Sequence, residues 1–253
     1  MRFYQGRGLR RLSSAEKWRF LIRHVDHKKI YGVNLAPSVT FMGHKPTDSG
    51  VEPDPAKVAA ITEMAVPTDK SGIQRFLGMC QYLRKFCHNL SETVLPLRDL
   101  TREDYAFLWS NKHENAFNRA KKLIALATAL RYHDAALPVT LQVDASEDAI
   151  GGVLLQSDQP VCFTSHTLNS TEKNYGQIEK ECLVIVSCMD KWHLYLYRKH
   201  DITVHTDHQP LETIFKKPLS KAPRRLQRMM LKLQRYQFTV RCKKGKELYI
   251  ADT

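Results

Sequence analysis

Four carboxylates in the second half of the chain stand where metal chemistry could be built: Asp144, Glu181, Asp207 and Asp252. Asp144 comes late in the run Thr140-Leu-Gln-Val-Asp-Ala-Ser146, in which Leu141 and Val143 alternate with polar Thr140 and Gln142. That is the period-2 pattern of a strand with one buried face. Asp207 ends a second such run, Ile202-Thr-Val-His-Thr206, and Asp252 follows a short apolar run, Leu248-Tyr-Ile-Ala251. Glu181 belongs to a helical stretch whose apolar stripe is Ile178, Cys182, Ile185, Met189 and Trp192. At about 100° per residue, Glu181 sits roughly 60° from the centre of that stripe and Glu179 about 100° away. Glu181 is thus the boundary carboxylate, able to lean over a sheet edge, and Glu179 is expected to point more to solvent. Taken singly, each acid reads equally well as a turn cap or an exposed helix charge. Taken as an ordered set, they are able to converge on one edge of a sheet. Such a cluster repels itself unless cations neutralise it. Hard divalent ions with oxygen ligands fit, Mg²⁺ being the natural choice beside phosphate and Mn²⁺ its substitute. Two ions about 3.5–4 Å apart would activate a water and stabilise the leaving oxygen of a phosphodiester.

The elements that must position these acids follow from periodicity. Strands are predicted at 139–144, 150–156, 161–166, 202–206 and 238–242, the first two reading as a hairpin with Gly151 and Gly152 at the start of the second. One long helix is predicted from about Thr171 to Tyr195, a short one after Asp207, and a basic one over 223–236. Three antiparallel strands, a helix, a strand and further helices make an α/β (α+β) order with a mixed sheet. Upstream, Ser13 and Glu16 form a capping box ahead of a helix carrying Trp18, Leu21, Ile22 and Val25. Residues 33–43 read as extended and Thr47–Gly50 as a turn. Asp54-Pro55 starts a helix that Pro67 breaks. A second helix runs from about Ser71 through Phe86, Ser91 caps a third, and Trp109-Ser110 opens a fourth. This helical unit holds no acid cluster, glycine-rich loop or nucleophile, which suits packing or gripping more than catalysis.

The chain has 253 residues, 43% of them hydrophobic, enough to bury a core. Lys and Arg outnumber Asp and Glu by 39 to 26, and the resulting +13 favours a polyanionic partner such as nucleic acid. From Lys216 to Lys246 there is no acid. In the basic helix Arg225, Arg228, Lys232 and Arg235 step by three, four and three along one face, with Arg224 beside them. Leu226, Met230, Leu233 and Tyr236 share another face. An apolar back and a cationic front suit tracking a phosphate backbone without reading bases; a merely solvated face is the alternative. The six cysteines form no CxxC pair and no zinc spacing, which fits a reduced intracellular setting, cytoplasmic or nuclear. With no apolar run near the roughly 18 residues of a membrane span and no signal peptide opening the chain, no membrane is expected.

Val143-Asp-Ala-Ser146, Tyr175-Gly-Gln-Ile-Glu-Lys-Glu181, His205-Thr-Asp-His-Gln-Pro-Leu211 and Ile250-Ala-Asp252 resemble the RNase H domain of gypsy-type LTR-retrotransposon polyproteins. Phe41-Met-Gly-His44, Pro53-Asp-Pro-Ala-Lys-Val58, Arg75-Phe-Leu-Gly78 and Pro96-Leu-Arg-Asp-Leu100 resemble the end of the reverse-transcriptase palm and its thumb. The resemblance implies a ribonuclease H-like mixed five-stranded sheet with flanking helices, preceded by a small thumb-like helical unit. It also implies that Asp144, Glu181, Asp207 and Asp252 bind two Mg²⁺ ions and that the chain cuts the RNA strand of an RNA–DNA hybrid. The expected divisions are a divergent segment with a palm remnant at 1–46, the thumb-like unit at 47–100, a connecting helix at 101–136, and an RNase H-like domain at 137–253. The family's aromatic-x-Asp-Asp polymerase turn is absent, so no polymerase activity is expected. The family continues past the fourth acid whereas here only Thr253 follows Asp252, so a C-terminally truncated domain with a loosely held fourth acid is expected. A nucleic-acid-binding module without catalysis, and a retroelement relic with neither role, remain the rival readings. Other parts of a retrotransposon polyprotein are the further expected partners.

Overall fold

Leu141, Val143, Leu154 and Val204, from three of the predicted strands, are completely buried at the centre of a five-stranded sheet. The computed structural model describes residues 44–103 and 106–244. The expected capping box at Ser13, the extended segment at 33–43 and Asp252 lie outside the described residues. The described residues fall in one compact unit, Thr40–Thr253.

A small hairpin comes first: β1 (His44–Pro46) and β2 (Val51–Pro53) pair antiparallel, and the Thr47 N–H donates to the Gly50 carbonyl at 2.8 Å across the expected turn. Helix α1 (Pro55–Thr62) has proline in its first turn and Asp54 as its cap, Oδ1 accepting from the Ala56 N–H at 3.0 Å. Helix α2 (Lys70–Leu83) is capped by Asp69 and buries Ile73, Phe76, Cys80 and Leu83. The next stretch differs from expectation. Asn89 adopts a left-handed backbone, φ 49°, and two short helices follow, α3 (Leu90–Thr93) and α4 (Leu95–Asp99). Ser91 is not the cap; it is buried, and its hydroxyl bonds across to the sheet instead. Helix α5 (Asn111–Ala125) starts after Ser110 as expected and buries Phe117, Ala120 and Ile124.

The sheet is built from β3 (Val139–Ala145), β4 (Ala149–Gln156), β5 (Gln159–Thr167), β6 (Ile202–Thr206) and β7 (Phe238–Cys242), in the order β5-β4-β3-β6-β7. The first three form an antiparallel meander, while β6 lies parallel to β3 and β7 parallel to β6. Parallel neighbours require crossovers, and helices supply them. Between β5 and β6 the predicted single helix is three: α6 (Ser170–Lys173), α7 (Gln177–Lys191) and α8 (His193–Leu196). Gly176, in extended conformation with ψ 154°, separates the first two and serves as the N-cap of α7. Periodicity runs through such a break because the apolar phase resumes after it. Between β6 and β7 come α9 (Gln209–Phe215) and α10 (Arg224–Leu233).

Helix α7 lays Cys182, Ile185 and Met189, all completely buried, on the sheet. Gly152 lets it approach: a Cβ there would stand 2.5 Å from the Cys188 sulfur. The helical unit docks on the strands β4 and β5. Ser165 Oγ of β5 donates to Ser91 Oγ at 2.8 Å and accepts from the Ser91 N–H at 3.3 Å, and the Ser91 hydroxyl donates to the Ser165 carbonyl at 3.3 Å. Arg98 adds a bond to Thr167 Oγ1 at 3.1 Å.

Candidate metal centre

Asp144 sits one residue before the end of β3, Asp207 directly after β6, and Glu181 in the second turn of α7. Because β3 and β6 are adjacent and parallel, their C-terminal ends lie side by side. Loops that follow such neighbouring ends are a common place for sites in α/β sheets. The three carboxylates converge there: one ligand oxygen from each lies within 4.8 Å of the others. Their exposure is graded, with Glu181 at 1%, Asp144 half-buried and Asp207 exposed. Asp252, the fourth predicted acid, lies outside the described residues.

Glu181 is held on both oxygens. Its Oε2 accepts from the Thr206 hydroxyl at 3.1 Å, and its Oε1 accepts from Gln177 Nε2 at 3.2 Å. The same Gln177 amide donates to the Ala145 carbonyl at 3.0 Å, which ties the first turn of α7 to the end of β3. These bonds favour the carboxylate form, but burial and the charges of Asp207 and Asp144 outweigh them and push the Glu181 carboxyl up to about 8. Asp144 is also raised, by burial first and then by the charges of Asp207 and Glu92. The cluster therefore lacks positive charge, and a proton or a cation relieves it. Three hard oxygen donors together, with no histidine or thiolate among them, fit a divalent ion of the Mg²⁺ type.

Gln177 and Thr206 escaped the sequence reading although each carried a signal. Gln177 is four residues before Glu181 on one helix face, and Thr206 adjoins Asp207. Glu92 carried none, since it comes from α3 and reaches Asp144 only through tertiary packing. Asn89 lies close by: a Cβ on Gly151, the β4 partner of Asp144, would stand 2.9 Å from its Oδ1.

Glu179 corrects the helical-wheel expectation. Its side chain is only 17% exposed, and Oε2 accepts both the Gly176 N–H at 3.1 Å and Arg225 Nη1 at 2.6 Å. The basic stripe on α10 divides accordingly. Arg225 is ion-paired to Glu179 with its guanidinium 4.1 Å over the Tyr175 ring, and Arg235 is ion-paired to Asp190. Arg224, Arg228 and Lys232 make no ion pair with the described residues. Among the described residues, no helix is long and apolar enough to cross a membrane.

Residues 134–236 match the RNase H-like domain found in reverse transcriptase. Over 233 residues the chain is 36% identical to the retrovirus-related Pol polyprotein from transposon opus of Drosophila melanogaster, covering 86% of this chain and 23% of that protein. The corresponding polyprotein of Drosophila melanogaster transposon 412 is 35% identical over 220 residues, covering 85% of this chain and 17% of its own length. The chain thus spans less than a quarter of either relative. In fold it is similar to the foamy viral protease-reverse transcriptase solved with an RNA/DNA hybrid, with TM-score 0.70 at 20% identity, covering 95% of this chain and 35% of that one. The same viral protein solved with double-stranded DNA also gives TM-score 0.70 at 20% identity, over 92% of this chain and 44% of the other. The chain carries an RNase H-like domain of the reverse-transcriptase type over residues 134–236 and is similar to a stretch of the retrovirus-related Pol polyproteins of transposons.

Proposed function

We propose that the chain cleaves the RNA strand of RNA–DNA hybrids in a Mg²⁺-dependent reaction, with Asp144, Glu181 and Asp207 holding the ions. The observation that carries this reading is the meeting of three acids from three separate elements within 4.8 Å, one of them buried. When bound, divalent ions supply Lewis acidity and an activated water at a phosphodiester. The residues do the rest. Thr206 and Gln177 orient Glu181, and Asp144 stands within a sheet strand, a more precise support than a loop. Asp252 enters as a fourth acid on the family resemblance alone. Arg224, Arg228 and Lys232 give α10 a cationic face for the phosphate backbone, with hybrid choice resting on groove shape and 2′-hydroxyls. On this reading the helices over 47–100 form a thumb-like unit that grips the duplex.

The test is a labelled hybrid incubated with the purified chain in Mg²⁺ and in EDTA. Asp144→Asn keeps shape but removes the charge that neutralises the ions, and cleavage should fall by at least about a hundredfold with unchanged thermal stability or a gain. Cleavage within threefold of the parent would remove Asp144 from the site. Tight hybrid binding with no cleavage in any divalent ion would favour the binding-module reading instead.

A further inference from the structure

The ion pair between Arg225 and Glu179 lies close to Glu181 along α7, and it is not an isolated surface pair. Helix α7 is fastened to the α10 segment at two points: Arg225, in the first turn of α10, pairs with Glu179 near the start of α7, and Arg235, two residues beyond the end of α10, pairs with Asp190 near the end of α7. The acids are 11 residues apart and the arginines 10, in the same chain order, so the two segments run parallel. The N-terminal point is the more elaborate one. Arg225 lies across the Tyr175 ring and bonds a carboxylate that is itself capping the Gly176 N–H.

That end of α7 is the one in need of fastening. Helix α6 stops at Lys173, and the extended Gly176 leaves α7 without a continuous helix before it. The start of α7 is then pinned from three sides. Gln177 reaches the Ala145 carbonyl of β3, Thr206 of β6 reaches Glu181, and Arg225 of α10 reaches Glu179. We propose that Arg225 is a positioning residue of the metal centre. It holds the first turn of α7, and through it the Glu181 carboxylate, in register with Asp144 and Asp207, and it does not serve as a phosphate ligand like Arg228. The proposal rests on the reading of these three acids as the ion-binding set.

Two measurements on the whole chain separate the roles: calorimetric titration with Mn²⁺, which needs no turnover, and the salt dependence of hybrid binding in EDTA. Arg225→Ala and Glu179→Gln should each weaken Mn²⁺ binding by about three- to tenfold, the size of losing a helix cap. The double variant should be little worse than either single one, because both remove the same clamp. Arg225→Lys, which keeps the charge but not the stacked fork, should fall between parent and alanine variant and serves where Arg225→Ala fails to fold. The slope of log binding constant against log salt should drop by about one unit in Arg228→Ala, the reference for a phosphate ligand, and stay unchanged in Arg225→Ala. An Arg225→Ala or Glu179→Gln chain that binds Mn²⁺ within twofold of the parent, fully additive losses in the double variant, or a slope reduced as in Arg228→Ala overturns the clamp. Asp144→Asn distinguishes the underlying reading: if it binds Mn²⁺ as the parent does, the ion-binding set is wrong and the clamp falls with it.

Discussion

Glu181 is an acid placed where acids are costly. A carboxyl that is 1% exposed, beside two further carboxylates, is held by two hydrogen bonds, and on the proposed reading a cation offsets its charge. The cost should be visible in the ion-free protein. Its ordinary value of 4.5 rises to about 8 in the fold, so between these values the folded chain binds more protons than the unfolded one. Stability then falls as pH rises, since its slope follows the protons bound unfolded minus those bound folded. The contribution is fully present below about pH 4.5 and lost as pH passes about 8. In EDTA the melting temperature should decline from pH 5 to pH 8, Mg²⁺ should restore it at pH 8, and Glu181→Gln should flatten the profile. A melting temperature that rises over this range in EDTA, with Glu181→Gln no different, would mean that the carboxyl is satisfied without an ion.

Among the elements, α3 departs furthest from its expected role. A four-residue helix has little stability of its own, and it persists because Ser91 and Ser165 bond each other three ways across the junction with β5. The same docking brings Glu92 near enough to Asp144 for its charge to be felt there. Ser165→Ala leaves the buried Ser91 N–H without its acceptor and the Ser91 hydroxyl without its donor. It should therefore cost about 1–3 kcal/mol in urea unfolding. It should also change hybrid cleavage more than an exposed serine substitution such as Ser220→Ala, because the junction backs the strand opposite Asp144. Equal unfolding midpoints for parent and Ser165→Ala would show the junction to be loose.

For the molecule as a whole, the relevant quantity is the distribution of the +13 charge. Two arginines of the basic stripe are paired to α7, whereas Arg224, Arg228 and Lys232 beside them make no ion pair with the described residues. Replacing these three by alanine should lower the salt slope of hybrid binding by up to about three units, one for each phosphate no longer neutralised. Replacing Arg235 should leave the slope near the parental value. An unchanged slope in the triple variant would assign the stripe to solvation alone.

The sequence by itself determined the elements whose signals are local. Alternating Leu141 and Val143 marked a strand and Asp54-Pro55 a helix start, because periodicity and caps need only neighbouring residues, although the burial of Gln142 on the strand's other face came from its central place in the sheet. The ordered acids also carried the family resemblance, and with it the mixed five-stranded sheet. Tertiary structure alone decided what depends on residues far apart in the chain. It broke the expected helix at Gly176, took Ser91 from capping to docking, brought Glu92 toward Asp144, and turned Glu179 from a solvated charge into the partner of Arg225. Each of these rests on neighbours that meet only after the chain has closed long loops, and such meetings leave no period or spacing in the sequence by which they could be read.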